Sequence, residues 1–379
     1  MKVLVAPNAF KGSLSAKEAA DVIEDGILEV IPEAKVIKVP FSDGGDNLVD
    51  VLRDIFDGEI LEKEVCGPLF KKVKAAFCYV PNLKLAAVEM AKASGLALLK
   101  EEERNPLYTT TYGTGELISA CLDLGVKKIL VGIGGSATND GGVGMAQALG
   151  VKFLDEKGEP IYPIGKELVK IKKIDISNLD PRIKDVDIEV ICDVENPLIG
   201  ENGAARVYGP QKGAGPEDVE LLEEGLKNLA HLIERDLNKE VAYLPGAGAA
   251  GGLGAGLYAF LDAKLKPGIE VMTKLLKLDE KMKGCDWAIT SEGKLDSQVF
   301  FKKGPAGVSL CAKKYGVPCI VLAGIVEDGL TNLEDLGIIS AFSIVPGPVS
   351  LEEAMKNVRL YLKEATKNLF KVIKCSERK

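Results

Sequence analysis

Short apolar runs bounded by polar, glycine-rich turns alternate along this chain with segments whose apolar residues recur every three or four positions. In the first hundred residues the alternation predicts a strand at Val3 to Ala6, a helix from about Ser15, a strand at Val36 to Pro40 and a helix after Gly45. Ser15 and Glu18 have the spacing of a capping box, which puts the first helix start just after "FKGS". Further on, "KKILVGIGG", "IEVICDV", "DWAITSEG" and "PCIVLAGI" read as buried strands, and Leu351 to Lys374 as one amphipathic helix packed on the outer lobe. From Lys152 to Val169 the pattern is irregular, with a hairpin-like "DEKG" turn, unlike a simple doubly wound sheet. That contrast predicts a second α/β domain inserted into the first. With no 20 to 50 residue repeat and no low-complexity linker to mark the joins, we place them near residues 65 and 283: 1–65 with 283–379 as one discontinuous domain, 66–282 as the insert.

Composition supports two domains. The chain has 379 residues, 46% of them hydrophobic, and a mean hydropathy of +0.10, whereas single cores stop growing at roughly 250 to 300 residues. A formal net charge of -8 gives no general attraction to nucleic acid or to an anionic membrane. The opening "MKVLVAPNAFKG" has an apolar run too short for a signal peptide, and the uncharged run Pro245 to Leu261 is too rich in glycine and alanine to span a bilayer. Eight cysteines without a C-x-x-C pair, among them Cys66, Cys192, Cys285, Cys311 and Cys319 beside apolar or small neighbours, read as reduced core thiols of a cytoplasmic protein. The single histidine, His231, projects away from the helical face marked by Leu222, Leu226, Leu229 and Ile233. Catalysis by Ser/His/Asp or Cys/His and multi-histidine metal sites are thereby excluded, and proton transfer falls to a carboxylate or a lysine.

Six segments share one design, an extended piece followed by a polar, Gly-rich loop and a helix start: "PNAFKGSLS", "FSDGGDN", "TTYGTGE", "GGSATNDGG", "PGAGAAGGLGAG" and "SEGKLDSQ". In open α/β folds ligands collect at the carboxyl ends of strands, where loop amides and helix starts point outward. "GGSATNDGG" offers Gly134, Gly135, Ser136, Thr138, Asn139 and Asp140 as a phosphate cradle, although no Gly-Lys-Ser/Thr closes it as in a Walker loop. A helix terminus contributes only ~0.3 to 1 kcal/mol to an exposed anion. Polyphosphate binding therefore requires charge, for which Lys11, Lys212, Lys294 and Lys303 are the lysines in or near the loops. The loop carboxylates are Asp43, Asp140, Asp193, Glu292 and Asp296; in isolation a carboxylate in such a loop is more often a turn or cap residue than a functional one. Asp193 ends an apolar strand with no helix directly after it, so we expect it to be desolvated and suited to a general base or metal ligand. The segment "PLIGENGAARVYGPQKGA" adds Asn196, Arg206, Gln211 and Lys212 as anion contacts or as an ordinary surface loop. The glycines from Gly246 to Gly256 serve either close packing or backbone approach to a ligand.

Taken together these segments resemble the type I glycerate kinase family, the bacterial glycerate 2-kinase kind. The likeness is carried by "FKGSLSA", "SDGG", "YGTGELI", "IGGSATNDGG", "CDVENPLIGENGAA", "YGPQKGA", "GAGAAGGLGAGL" and "EGKLDSQ", of which "GGSATNDGG" and "GPQKGA" are the most specific. The resemblance implies a two-lobed α/β protein, a flavodoxin-like doubly wound domain with a different α/β domain inserted. It also implies ATP- and Mg2+-dependent phosphorylation of D-glycerate, usually at the 2-hydroxyl, by a monomer or homodimer. Under this reading Asp193, Lys11 and Asp43 are catalytic. Ser13, Gly134, Gly135, Ser136, Thr138, Asn139, Asp140, Asn196, Gln211, Lys212 and Lys294 bind substrate or phosphate, and Asp296, Glu292 and Asp43 form the metal shell. The chain departs from the family pattern "APDSFKGS" at Asn8 and Ala9, from "ADGGEGT" at "SDGGDNL", and from "GEGRxDxQT" at Lys294, which carries charge but no bidentate fork. The alternatives are a kinase of a related hydroxy acid or one forming 3-phosphoglycerate. From other classes come a dinucleotide-dependent oxidoreductase, which the absence of G-x-G-x-x-G at the first strand disfavours, and a non-catalytic anion sensor.

Overall fold

The computed structural model describes residues 1–42, 48–301 and 304–376. Its strands run in chain order as β1 (Lys2–Val5), β2 (Lys35–Lys38), β3 (Glu59–Cys66), β4 (Lys72–Val80), β5 (Leu85–Glu89), β6 (Lys128–Gly132), β7 (Lys152–Leu154), β8 (Lys173–Asp175), β9 (Asp187–Ile191), β10 (Lys264–Lys266), β11 (Trp287–Leu295), β12 (Cys319–Val326) and β13 (Ile338–Ser343). Contacts divide the chain into one unit built from Met1–Gly44 and Ile269–Lys379 and another from Gly45–Gly268.

The unit made from the chain ends holds a five-stranded sheet in the order β13-β12-β11-β1-β2, every neighbour parallel. Numbered along the chain within this unit, that is 2-1-3-4-5, the flavodoxin-like doubly wound order. A parallel sheet covered on both faces needs continuous apolar strands, and Val3, Leu4 and Val5 are fully buried. One face packs on the helices Ala16–Val30 and Val358–Ser376 through Val3, Val5, Ile23, Ile27, Leu322, Leu362 and Phe370. The opposite face packs on the helix Ala306–Lys314, with Val321, Ala323 and Ile338 beneath it. The first helix begins where its sequence signal lies: Ser15 Oγ accepts from Glu18 N at 3.2 Å, and Glu18 Oε2 accepts from Ser15 N at 3.0 Å.

The middle unit carries a mixed six-stranded sheet, β10-β9-β6-β5-β4-β3, in which β3 and β5 run antiparallel to β4 and the other pairs are parallel. β7 and β8 form a separate antiparallel pair. The "DEKG" turn after β7 is pinned by Asp155 Oδ1, which accepts from Lys157 N at 2.8 Å and Glu159 N at 2.9 Å.

The division after residues 44 and 268 differs from the sequence-based joins near 65 and 283. β3, "EILEKEVC", is a charged edge strand whose membership is set by its full-length pairing with β4. At the other join, Ile269 lies against Gly307 of the chain-end unit, where an added Cβ would meet its Cγ1 at 2.3 Å. The C-terminal helix also differs from expectation, breaking at Asn357 into Leu351–Lys356 and Val358–Ser376. Only the second part has a buried stripe, Val358, Leu362, Thr366, Phe370 and Ile373, and Leu351 stays exposed. All eight cysteines are free thiols, and burial pushes those of Cys121 and Cys319 up to about 12. Among the described residues no helix is long and apolar enough to cross a membrane.

Candidate functional site

From β1 the chain crosses to β2 on one side, while β11 pairs on the other, so β1 and β11 flank the topological switch point of the sheet. The loop after β1 and the end of β11 meet there. Asn8 N donates to Ser291 O at 3.1 Å, Ser291 Oγ to Asn8 O at 3.1 Å, and Asn8 Nδ2 to Glu292 Oε2 at 3.0 Å. A Cβ added to Gly293 would lie 3.8 Å from Lys11 N. Lys11 is exposed at this end. The Ser13 hydroxyl donates to Phe10 O at 3.1 Å, fastening the turn in which Gly12 takes a φ of +76°. Lys294 stands 3.1 Å from Glu327 Oε1 and 3.6 Å from Asp296 Oδ2, and its hydrogen bond to Glu327 raises its pKa. Asp296 Oδ1 accepts from Gln298 N at 3.0 Å. The structure thus brings Lys11, Ser13, Glu292, Lys294 and Asp296 to one end of one sheet. Asp43 and Lys303 lie outside the described residues.

Among the described residues no three His, Cys, Asp or Glu side chains gather as a metal site. Magnesium does not need three, because it binds through one or two carboxylates with phosphate and water oxygens completing its shell. Glu292 and Asp296 fit that donor type.

In the middle unit the loop after β6 shows Gly134 and Gly135 at the surface and buries Ser136 to Asp140. Several amides that the sequence presents as bare have internal partners. Ala137 N donates to Ser94 O at 2.9 Å and Gly141 N to Gly251 O at 3.1 Å. Gly142 N and Gly144 N donate to the Asp140 carboxylate at 3.2 Å each. Asp140 Oδ2 also accepts from Thr111 N and Thr111 Oγ1, both at 2.8 Å, tying together the starts of the helices Tyr112–Asp123 and Val143–Ala148. Burial pushes the Asp140 carboxyl upward against those hydrogen bonds. Lys212 is fully buried and donates to Ser136 Oγ and Thr138 O, both at 2.7 Å. Thr111 is a structural partner that the sequence does not flag, because it meets Asp140 from 29 positions away.

The choice left open for the glycine run is settled in favour of close packing. Ala250, Gly251 and Gly252 are left-handed within the helix Ala249–Leu261, and a Cβ on Gly251 would lie 1.9 Å from Thr138 O. One on Gly256 would lie 2.7 Å from Gly141 O. Backbone thus seats directly on backbone.

Burial lowers the Lys212 pKa to about 7, with the charge of Asp140 acting the other way. An unfolded lysine titrates near ~10.4. Below pH 7 both states hold the proton and the burial cost is fully present. Between 7 and ~10.4 the unfolded chain holds a proton that the folded one has released, so this group's contribution to stability rises with pH. Urea unfolding of the wild type and Lys212→Met at pH 6.5 and 9.5 is expected to move their difference toward the wild type by about 3 kcal/mol. A difference that stays flat contradicts the burial effect.

Asp193 is exposed, and its Oδ1 accepts from Gly268 N at 2.9 Å, at the start of the helix Gly268–Leu275. The expected desolvation is corrected: β9 ends at Ile191, burial stops at Cys192, and the chain then emerges. No helix follows Asp193 in sequence, but one starts beside it in space, because β10 pairs with β9 and Cys192 N donates to Lys266 O at 2.9 Å. Asn196 closes its own loop, its Nδ2 donating to Asn202 O at 2.9 Å and its Oδ1 accepting from Tyr208 Oη at 2.7 Å. Gln211 is exposed, and Arg206 is spent on a forked pair with Glu220 at 2.7 and 2.9 Å. Asp193 and Asn196 follow β9, the parallel neighbour of β6, so they share the carboxyl end of this sheet with the loop Gly134–Asp140.

The sequence profile described as "Glycerate kinase family" matches residues 3–374. The Glycerate kinase of Halalkalibacterium halodurans is 50% identical over 367 residues, covering 97% of each chain. The Glycerate 2-kinase of Escherichia coli strain K12 is 46% identical over 369 residues, again covering 97% of each. A crystal structure from Salmonella typhimurium LT2 superposes with a TM-score of 0.90 at 44% identity, covering 100% of this chain and 99% of that one. Agreement of this extent in sequence and fold establishes that the chain belongs to the glycerate kinase family.

Proposed function

We propose that the protein transfers the terminal phosphoryl group of ATP to the 2-hydroxyl of D-glycerate in the cytoplasm, giving 2-phospho-D-glycerate, with magnesium as the metal. The observation that carries the reading, in a member of this family, is the gathering of Lys11, Lys294, Glu292 and Asp296 at the switch point of a flavodoxin-like sheet, where such folds hold nucleotides and phosphates. Lys11 supplies a point charge to phosphate oxygens from a loop braced by Ser13. Lys294 shares its charge with Glu327 and Asp296 and so orders that end of β11 more than it attracts an anion. Glu292 and Asp296 would hold the magnesium ion, which when bound neutralises charge on the transferring phosphoryl. Asp193, its carboxylate fixed by Gly268 N, orients the acceptor hydroxyl or takes its proton. For Asp43 the catalytic and metal-binding roles implied by the resemblance are kept as part of this proposal.

With magnesium and ATP, ADP release is expected to depend on D-glycerate, and the product is expected to be consumed by enolase alone, without a mutase. ADP release with no enolase signal points to the 3-isomer. ADP release independent of glycerate, or none at all, overturns the kinase reading, and an absorbance change with NADH or NADPH favours the oxidoreductase.

A further inference from the structure

Asn8 and Glu292 meet at the β1–β11 switch point although 284 positions of sequence separate them. Asn8 is 7% exposed. Its main chain is fastened to Ser291 in both directions, N donating to Ser291 O and O accepting from Ser291 Oγ, each at 3.1 Å. The side chain then has one polar commitment. Nδ2 donates to Glu292 Oε2 at 3.0 Å, while among the described residues the buried Oδ1 has no hydrogen-bond partner. Turning the amide over to serve Oδ1 would set oxygen against carboxylate oxygen, so the charge on Glu292 decides which way Asn8 faces. Gly304 lies against the same carboxylate: an added Cβ there would stand 2.1 Å from Glu292 Oε2. Glu292 itself is half-buried, braced at Oε2 yet reachable from solvent.

A carboxylate that takes a metal ion needs its orientation fixed, and the hydrogen-bond partners of ligating carboxylates supply that. An amide suits this task in a way an acid does not. The sequence "APNAFKG" places Asn8 where the family pattern "APDSFKGS" has an aspartate. Two carboxylates at hydrogen-bond distance stay together only with a shared proton or a cation between them. The amide N–H needs neither, and it adds no charge.

We infer that Asn8 is the positioning residue for Glu292, holding its carboxylate in the orientation that takes magnesium. The inference rests on the kinase reading above, in which Glu292 belongs to the metal shell, and it adds the residue that aims it. Asn8 acts through Glu292, so its removal costs metal affinity and nothing that Glu292 does not already control.

Calorimetric titration of the full chain with ADP, once with Mg2+ and once without, reads the metal's contribution apart from catalysis. Wild type is expected to bind ADP more tightly with Mg2+, and Glu292→Gln to lose most of that gain. Asn8→Ala is expected to cut the gain about tenfold, the lower end of what loss of such a partner costs, and to leave metal-free ADP affinity within about twofold of wild type. Added to Glu292→Gln, Asn8→Ala should change the gain by less than about twofold, because the group it aims is already gone. In turnover the same variant should need about tenfold more Mg2+ for half-maximal rate and keep an unchanged KM for D-glycerate. Asn8→Leu, which fills the space without an N–H, carries the same expectations should Asn8→Ala not fold. A full metal gain in the Asn8 variants beside a lost one in Glu292→Gln overturns the inference and leaves the kinase reading standing. So does an equal loss in both backgrounds, or a loss of metal-free ADP affinity as large as that of Mg-ADP, which marks a merely structural residue. A wild type without a metal gain, or a Glu292→Gln variant that keeps it, removes Glu292 from the metal shell and strikes the reading beneath.

Discussion

Gly251→Ala is expected to cost about 3 to 5 kcal/mol of folding stability, much of the total for a domain that has only ~5 to 15 kcal/mol. Two effects add. Gly251 has a φ of +68°, where a side chain costs roughly 1 to 2 kcal/mol. Its new methyl would also sit 1.9 Å from Thr138 O and 2.7 Å from Asn139 Cα. Both are backbone atoms of a loop tied down by Asp140 and Lys212, so no side chain can swing away. Gly316 provides the control. It has the same φ of +68° just past the helix Ala306–Lys314, and nothing within 4 Å of the added atom. Gly316→Ala should therefore show the backbone cost alone, about 1 to 2 kcal/mol. Urea unfolding of both variants isolates the contact, and equal losses would show that the loop gives way.

Asp193→Asn is expected to lower kcat for glycerate phosphorylation by roughly two to three orders of magnitude while leaving the KM for ATP unchanged. The side-chain oxygen of asparagine can still accept from Gly268 N, so the change removes charge and basicity without removing the anchor. Asp193→Ala removes both and should add a stability loss of ~1 kcal/mol, as for a lost helix cap. Near wild-type turnover in the asparagine variant takes Asp193 out of the proposed role. A fall in stability without a fall in rate reduces it to the helix anchor that its geometry already displays.

Local signals in this sequence are legible, and those that depend on distant segments are not. Ser15 and Glu18 form their capping box because both halves lie within one turn, and the flavodoxin-like sheet follows from strands whose burial is written in continuous Val, Leu and Ile. The loop "GGSATNDGG" looks open only because the groups that fill it, Ser94, Thr111, Lys212 and Gly251, arrive from four other segments. Asp193 follows an apolar strand, which suggests burial, but strand burial ends with the sheet rather than with the apolar run. The join near residue 65 differs from the division by contacts because β3 has four charged positions at an edge and belongs to its sheet through pairing alone. Asn357 breaks the last helix between two segments that are each helical in pattern, and only the burial of Val358 separates them.

The placement of β1 beside β11 also orders events during synthesis. When β1 and β2 leave the ribosome they are the only strands of their sheet yet made, and a lone two-stranded piece of this kind is marginal in water. The partner that completes them begins at Trp287. At ~5 to 20 residues per second the nascent N-terminus waits on the order of tens of seconds, while the whole middle segment emerges and can already be folded. Until then the edge of β1 that receives β11 has no partner strand from its own sheet.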